Sequence, residues 1–204
     1  MKKVVRIRSI TVAVALICAT SVAACSSRGT TPPVTPTYPT TTVNLNGPTA
    51  SSSTSAYPGS SVSVDKSFSV VLPVGWKPVT SSLPGVMIFV QAPTTTQGVR
   101  TNFNVLRQAA PGVNLQNILD QSRSSLEQSG YTVAIAQPST IGGLQAQGII
   151  ATKTVQKQPV TERQYFVQQG TATYVTTMTS STADAAAAET TQTAIFGTWA
   201  WKRS

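Results

Sequence analysis

A segment with almost nothing to bury divides this chain of 204 residues. Residues 26–61 contain eight Ser, nine Thr, six Pro and three Gly. Such a segment cannot offset its loss of conformational entropy by burying apolar surface, so the composition predicts a disordered tether. The hydrophobic core therefore has to form from residues 62–204, which are enough for one domain.

The residues before the tether have the pattern of an export signal. An uncharged apolar run of fifteen residues, 10–24, follows a basic start formed by Lys2, Lys3, Arg6 and Arg8. This order is typical of a secretory signal peptide, and fifteen residues are fewer than the roughly 20 that span a bilayer. We therefore expect residues 1–24 to be removed during export.

The apolar run ends in Val22-Ala23-Ala24-Cys25, where small residues precede a cysteine. This pattern matches the site cleaved by lipoprotein signal peptidase, which predicts a diacylglycerol on the Cys25 sulfur and an acyl chain such as palmitate on its new amine. Cleavage by a general signal peptidase is the alternative, because small residues suit that enzyme too. Since Cys18 would leave with the signal, Cys25 would be the single cysteine of the mature chain. Lipidation predicts a protein anchored at the extracytoplasmic face of the cell membrane.

The composition excludes several classes of function. The chain has no histidine, so it cannot contain a Ser-His-Asp triad, a histidine base or an imidazole metal ligand. We expect neither a metal site nor a cofactor. Without its signal, the chain has eleven basic and six acidic residues and no clustered basic stripe. This argues against nucleic-acid binding.

Periodic patterns in residues 62–204 predict strands and two helices. Asn114 is a candidate N-cap for a helix with one apolar stripe, which Gly130 ends. Ser181 or Thr182 is expected to cap an alanine-rich helix over residues 183–196. The remaining predicted pieces are strands at 68–72, 86–91 and 101–108 and a short aromatic end piece at 198–202.

Two hairpins are predicted between the helices. A Gly142-Gly143 loop gives the opposed pairs Ile141–Leu144, Ile135–Ile150 and Val133–Thr152. A Gln169-Gly170 loop gives the pairs Tyr165–Tyr174, Val167–Ala172 and Arg163–Thr176.

The second hairpin separates its side chains onto two faces. One face collects Tyr165, Val167, Ala172, Tyr174 and Met178. The other is mostly polar and carries Glu162, Gln164, Gln168, Thr171, Thr173 and Thr177, with Phe166 and Val175 among them. This alternation predicts an antiparallel sheet with one buried face, covered by the helices in an α+β sandwich.

The order of these patterns resembles a known family. The relevant features are the Cys25 box and tether, the run Phe68-Ser69-Val70-Val71-Leu72-Pro73 followed by Gly75-Trp76, the strand 102–106, the helix around Leu115, the Gly142-Gly143 hairpin, the strand 163–167 and the alanine-rich last helix. Together they resemble the LpqN-type lipoproteins of actinobacteria. The resemblance implies a PsbP-like α/β/α sandwich and a cell-envelope protein without an established enzymatic activity. It transfers one functional position, Cys25.

The carboxylates do not suggest a catalytic pair. A glycosidase needs two carboxylates about 5–10 Å apart that flank a cleft. Asp120 and Glu127 share a predicted helix face, where solvated charge is expected, and Asp184 and Glu189 favour the dipole of the last helix. The other two are Asp65 and Glu162. The alternative to a binding protein is a carboxylate-dependent hydrolase or transferase that acts on cell-wall polymers.

Ser63-Val64-Asp65-Lys66 has the S-x-x-K spacing of serine–lysine acyl enzymes. That chemistry needs a helix to bring the serine and lysine together, and partner motifs elsewhere in the chain. Here the motif lies between the tether and a strand, and neither S-D-N nor K-T-G follows. We predict no catalytic residue.

One group of side chains is a candidate ligand site. Arg163 shares the apolar hairpin face with Tyr165 and Tyr174, and an arginine in apolar surroundings requires an anionic partner. A packed aromatic pair is the alternative. Two roles are similarly possible for Trp76, Trp199 and Trp201. They could form an aromatic surface that binds a sugar or acyl chain, or they could close the edge of a small core. The sequence favours a membrane-anchored, non-catalytic module that binds an envelope protein or an amphiphilic envelope molecule.

Overall fold

A computed structural model describes residues 60–81, 83–109 and 112–202. The predicted signal peptide, Cys25 and residues 26–59 of the predicted tether lie outside the described residues. In chain order the elements are β1 (Ser60–Val62), β2 (Phe68–Val71), β3 (Lys77–Pro78), β4 (Val86–Gln91), β5 (Asn102–Ala109), α1 (Leu115–Gln128), β6 (Thr132–Ile141), β7 (Leu144–Val155), β8 (Gln158–Gln169), β9 (Ala172–Ser181), a 3-10 turn (Thr182–Asp184), α2 (Ala185–Gly197) and β10 (Ala200–Trp201).

The strands form two antiparallel sheets. The larger has seven strands in the order β3-β4-β5-β9-β8-β7-β6, and the smaller has three in the order β1-β2-β10. One helix packs on each side of the large sheet. The predicted α+β fold, an antiparallel sheet flanked by helices, is confirmed.

Each face of the large sheet has its own core. On the α2 face, β2 and α2 cover the sheet, and the core includes Phe68, Phe103, Met178, Ile195 and Phe196. On the α1 face, side chains of α1 pack against β7, β8 and β9, and the core includes Ile118, Leu119, Leu126, Ile149 and Phe166. The prediction of a single buried face is therefore wrong, because Glu162, Gln164 and Thr173 of the polar face are also buried.

The helix ends follow the predicted capping residues. Asn114 Oδ1 accepts a hydrogen bond from Gln116 N at 2.8 Å, and Gly130 follows α1 with φ +83°. Ser181 Oγ accepts from Asp184 N at 3.2 Å, so Ser181 caps the 3-10 turn that leads into α2. α1 therefore begins where a side-chain oxygen satisfies a free backbone N–H. In contrast, α2 begins at Ala185 rather than at the predicted residue 183, and its N-cap Asp184 makes no side-chain cap hydrogen bond.

The predicted register of β6 and β7 holds only near their loop. Ile141 lies opposite Leu144, but Ile135 lies opposite Ile149 rather than Ile150, and Val133 opposite Ala151 rather than Thr152. The register shifts by one residue between Ala136 and Ser139. Because Pro138 lies there and has no N–H to donate, this part of β6 forms a bulge.

The predicted register of β8 and β9 is wrong by two residues. Gln169 pairs with Ala172, so the loop is Gly170-Thr171, and Gly170 supplies a positive φ of 59° at its first position. Tyr165 therefore lies opposite Thr176, Tyr174 opposite Val167, and Arg163 opposite Met178. A slip of two residues keeps every side chain on its predicted face, whereas a slip of one would not.

The two ends of the described chain meet at β2. β1 and β10 pair with opposite sides of this strand, with Ser60 opposite Val71 and Trp201 opposite Phe68. The aromatic end piece is thus part of a sheet. Ser60 and Ser61, which composition assigns to the tether, belong to β1.

Candidate functional site

Arg163, Tyr165 and Tyr174 all lie on the α2 face, as predicted. The Tyr165 hydroxyl donates to the backbone oxygen of Gln137 at 3.2 Å, and its ring meets Phe196 edge-on at 5.4 Å. Tyr174 contacts Phe68 and Trp201, at ring distances of 5.8 Å and 4.9 Å. Both tyrosines are buried members of the core.

The anionic partner of Arg163 belongs to the same chain. Its Nη2 donates to Glu189 Oε2 of α2 at 2.7 Å, and its side chain is 13% exposed. Gln192, one turn further along α2, donates to the Arg163 backbone oxygen at 3.2 Å. These contacts attach α2 to β8.

The tryptophans pack at one end of the α2 face. Trp199 is buried and stacks on Phe68 with 4.1 Å between ring centroids, and Trp201 lies 5.1 Å from Trp199. Trp76 is half-buried against the same core. Stacking at these distances is the packing expected of core aromatics.

Ser63 and Asp65 form part of a turn, and Lys66 lies beside them. Ser63 Oγ donates to Asp65 Oδ1 at 2.9 Å, and Ser67 donates to the same oxygen through Oγ at 2.6 Å and N at 3.0 Å. Lys66 has a positive φ of 58°, so the segment is not the helix that a serine–lysine pair requires.

The surroundings of Asp65 shift the pKa of its carboxyl group. Burial acts to raise its pKa, but hydrogen bonds from Ser67 and Ser63 and the charge of Arg107 outweigh that effect. Together they hold the pKa of Asp65 below its ordinary value of 3.8. Arg107 Nε lies 3.5 Å from Asp65 Oδ2. The carboxylate therefore joins the β1–β2 turn to β5.

The other acidic contacts are similarly local. Asp120 accepts from Gln116 at 2.9 Å, and Glu127 accepts from Arg123 at 2.8 Å, both along the exposed side of α1. No group of three or more acidic or cysteine side chains converges within the described residues.

Sequence reasoning missed a buried polar layer on the α1 face. The layer is defined by Asn102 and Asn104 of β5, Glu162 and Gln164 of β8, and Thr179 of β9, all buried. The strand pairing places them together, because Thr179 lies opposite both Asn102 and Glu162, while Thr177 lies opposite both Asn104 and Gln164. The alternation of Asn with Phe103 and Val105 in β5 showed two faces, but it could not show that the polar one is buried.

Glu162 connects this layer to α1. Tyr131, which follows the helix, donates its hydroxyl to Glu162 Oε1 at 2.9 Å. Lys153 lies 5.2 Å from the Tyr131 ring centroid and donates to the Ser129 carbonyl at 2.7 Å, where it compensates the exposed carbonyls of the helix end. The C-terminal end of α1 is thus attached to β7 and β8.

Two amides of the polar layer use their N–H groups but not their oxygens. Asn102 Nδ2 donates to Arg100 O, and Gln164 Nε2 donates to Glu162 Oε2, both at 3.4 Å. Asn102 Oδ1 and Gln164 Oε1 are buried and have no donor among the described residues. Gln147 Oε1, on β7 and on the same sheet face, is also buried and has no donor among the described residues. This arrangement can accept hydrogen bonds through its amide oxygens.

Within the described residues, none of the helices has both the length and the apolar character needed to cross a bilayer.

Comparison with known proteins identifies the fold. No protein-family model and no curated protein matches the chain. LpqN of Mycobacterium tuberculosis, described as involved in cell envelope biogenesis, is 11% identical with a TM-score of 0.54, over 67% of this chain and 83% of LpqN. The cyanobacterial PsbP of Synechocystis is 9% identical with a TM-score of 0.55, over 76% of this chain and 100% of that protein. A Bacteroides thetaiotaomicron protein is 13% identical with a TM-score of 0.52, over 72% of this chain and 49% of that one.

These likenesses bear out the PsbP-like fold that the sequence resemblance implied. Membership of the actinobacterial lipoprotein family stays a prediction, because identities of this size establish a fold alone.

Proposed function

We propose that this chain is a non-catalytic binding module of the cell envelope, held at the membrane through lipidated Cys25. The Cys25 box after an apolar signal supports the anchor, and the Ser/Thr/Pro segment supports a long reach from it. The shared fold with LpqN, itself described as involved in cell envelope biogenesis, supports the location.

The buried polar layer carries the proposal of binding. An unpaired amide oxygen inside a protein costs about 1–3 kcal/mol, and native structures contain few of them. Asn102 and Gln164 place two such oxygens on neighbouring rows of one sheet face. In this proposal, binding opens a path to these two buried oxygens, and a ligand or partner segment that donates hydrogen bonds there recovers this free energy.

The chemistry of the unpaired atoms restricts the partner. Amide oxygens accept and never donate, so the bound group must present N–H or O–H donors. Hydroxyl and amide groups of an envelope molecule, or the backbone of an envelope protein, meet this requirement.

The engagement of the carboxylates supports a non-catalytic role. Asp65 closes a turn, Glu189 neutralises Arg163, and Asp120 and Glu127 lie on the exposed side of α1. Carboxylate-dependent glycoside hydrolysis needs a pair that flanks the scissile bond, and these contacts do not create one.

A substitution that separates stability from binding tests the proposal. Gln164→Met removes the unpaired oxygen and also the long hydrogen bond to Glu162 Oε2, so we expect the two effects to offset and the unfolding free energy to change by no more than about 1–2 kcal/mol. At the same time, the protein should lose the ligand that the parent retains after gentle purification from its own host, as measured by native mass spectrometry.

Gln192→Met is the matched control. Gln192 is also a buried glutamine with an unpaired oxygen, but it lies on α2, at the opposite face of the sheet. Its substitution should leave the retained mass unchanged. Equal retention by the parent and Gln164→Met, or no retained mass in any of the three proteins, would contradict the proposal.

A further inference from the structure

The two edges of the large sheet differ sharply. One edge is β3, only two residues long, with a lysine and a proline. Short length, lysine and proline are devices that prevent an edge strand from pairing with another chain. The other edge is β6, which is ten residues long and has no charged residue; its proline, Pro138, and its bulge protect only the half that follows Ala136. In the described part of the chain, no strand pairs with the outer side of β6.

The regular half of β6 has the features of a pairing edge. The edge segment, defined as residues 132–136, runs from the end of the α1 connection to the bulge at Pro138. It contains Thr, Val, Ala, Ile and Ala, and Ile135 is 61% exposed. A regular, uncharged edge with an exposed β-branched residue is a template for strand addition.

We propose that the edge segment pairs with the same segment of a second copy of this chain. A two-fold axis makes the two strands antiparallel, and opposed residues must project from the same sheet face. Neighbouring residues of a strand project to opposite faces, so a residue cannot lie opposite its sequence neighbour in the other copy. The two-fold axis must therefore place one residue opposite the same residue of the second copy. Ala134, at the centre of the segment, is that residue.

This register is complementary to itself. Val133 and Ile135 project to the α1 face, where they lie opposite Ala151 and Ile149 of β7. With the axis at Ala134, Ile135 of each copy lies opposite Val133 of the other, so the exposed isoleucine gains a β-branched neighbour. Ala134 meets its own copy, where a small side chain fits. The uncharged strand brings no like charges together, and this favours a second copy over a partner chosen by charge.

Disulfide trapping in the full chain tests the register. In Ala134→Cys, the two cysteines lie directly opposite, and opposed Cα atoms about 4.5–5.5 Å apart suit a disulfide. After mild oxidation of membranes from cells that produce the protein, we expect a reducible band at twice the mass of the chain. Thr140→Cys, also exposed on β6 but beyond the bulge, has no counterpart in this register and should give no such band.

A second variant distinguishes disulfides formed in the proposed register from disulfides formed by random encounters between chains. Ile135→Lys is compatible with the fold because this side chain is largely exposed, but it places a charge beside Val133 of the other copy. Combined with Ala134→Cys, it should abolish the band. The parent, with Cys18 and Cys25 alone, sets the background. Absence of the band, an equal band from Thr140→Cys, or a crosslink to a different protein would each overturn the proposal.

Discussion

Asp65 illustrates how one carboxylate can organise a junction between elements. It accepts from Ser63 and Ser67 within the turn and faces Arg107 of β5. Three hydrogen bonds to the ionised form lower its pKa despite partial burial. The residue therefore stabilises the fold only while it is ionised.

The consequence is a contribution to stability that acid removes. Because the folded-state pKa of Asp65 lies below 3.8, its stabilisation is complete above that pH and is lost as the pH falls through the folded value. We expect Asp65→Asn to flatten the decline of the unfolding free energy between about pH 5 and pH 2, measured by urea denaturation. Asp120→Asn, on exposed α1, is the control; an acid profile unchanged in Asp65→Asn would contradict the assignment.

The proposed anchor depends on a single sulfur. Cys25→Ala should abolish incorporation of an alkyne-labelled palmitate and release the protein from the membrane fraction, because the diacylglycerol and the acyl chain on the amine provide the membrane affinity. Cys18→Ala is the matched control, since Cys18 lies within the predicted signal and should leave both labelling and location intact. A labelled, membrane-bound Cys25→Ala protein would disprove lipidation at this position.

At the scale of elements, local sequence signals predicted the positions of strands and helices better than they predicted the register between paired strands. Caps fixed the start of α1, and alternation assigned the faces of β8 and β9. The register depended on finer features. In the β8–β9 hairpin it depended on the position of Gly170, with its positive φ, within the loop, and in the β6–β7 hairpin it depended on the bulge at Pro138. Likewise, the faces of β5 and β8 were visible in the sequence, but burial of their polar side depends on long-range packing. For that reason the polar layer could not be predicted, whereas the face shared by Arg163, Tyr165 and Tyr174 could.

The turn between β7 and β8 has residues poorly suited to its backbone. Gln156 and Lys157 have φ values of 49° and 69°, which cost residues other than Gly or Asn about 1 kcal/mol each. Gln156→Asn combined with Lys157→Gly should raise the unfolding free energy by about 1–2 kcal/mol, measured by chemical denaturation.

Lys157→Ala serves as the control for that change. It removes the same charged side chain without supplying the conformational freedom of glycine, so no stabilisation is expected. If Lys157→Ala stabilised the protein as much as the double variant, loss of charge rather than backbone strain would be the cause.

At the scale of the whole molecule, the two cores share the strands of one sheet. Tyr165 and Val167 contribute to the α2-face core, while Phe166 between them contributes to the α1-face core. Neither core can therefore lose its packing without disturbing the other.

This shared sheet predicts a single unfolding transition. All three tryptophans lie in or against the α2-face core, so their fluorescence reports on that side, whereas far-ultraviolet circular dichroism reports on the whole fold. The two signals should change at the same urea concentration. An earlier loss of tryptophan fluorescence would show that the α2 side unfolds independently.

The pairing of β1 and β10 with β2 has a mechanical consequence. β1 enters beside Val71, at one end of β2, and β10 leaves beside Phe68, at the other end. Tension between the two chain ends would therefore pull these strands along β2 in opposite directions, in shear, and would load their hydrogen bonds together instead of peeling them apart one by one. Under a force applied between residues 60 and 202, the three-stranded sheet would therefore be the first to bear the load.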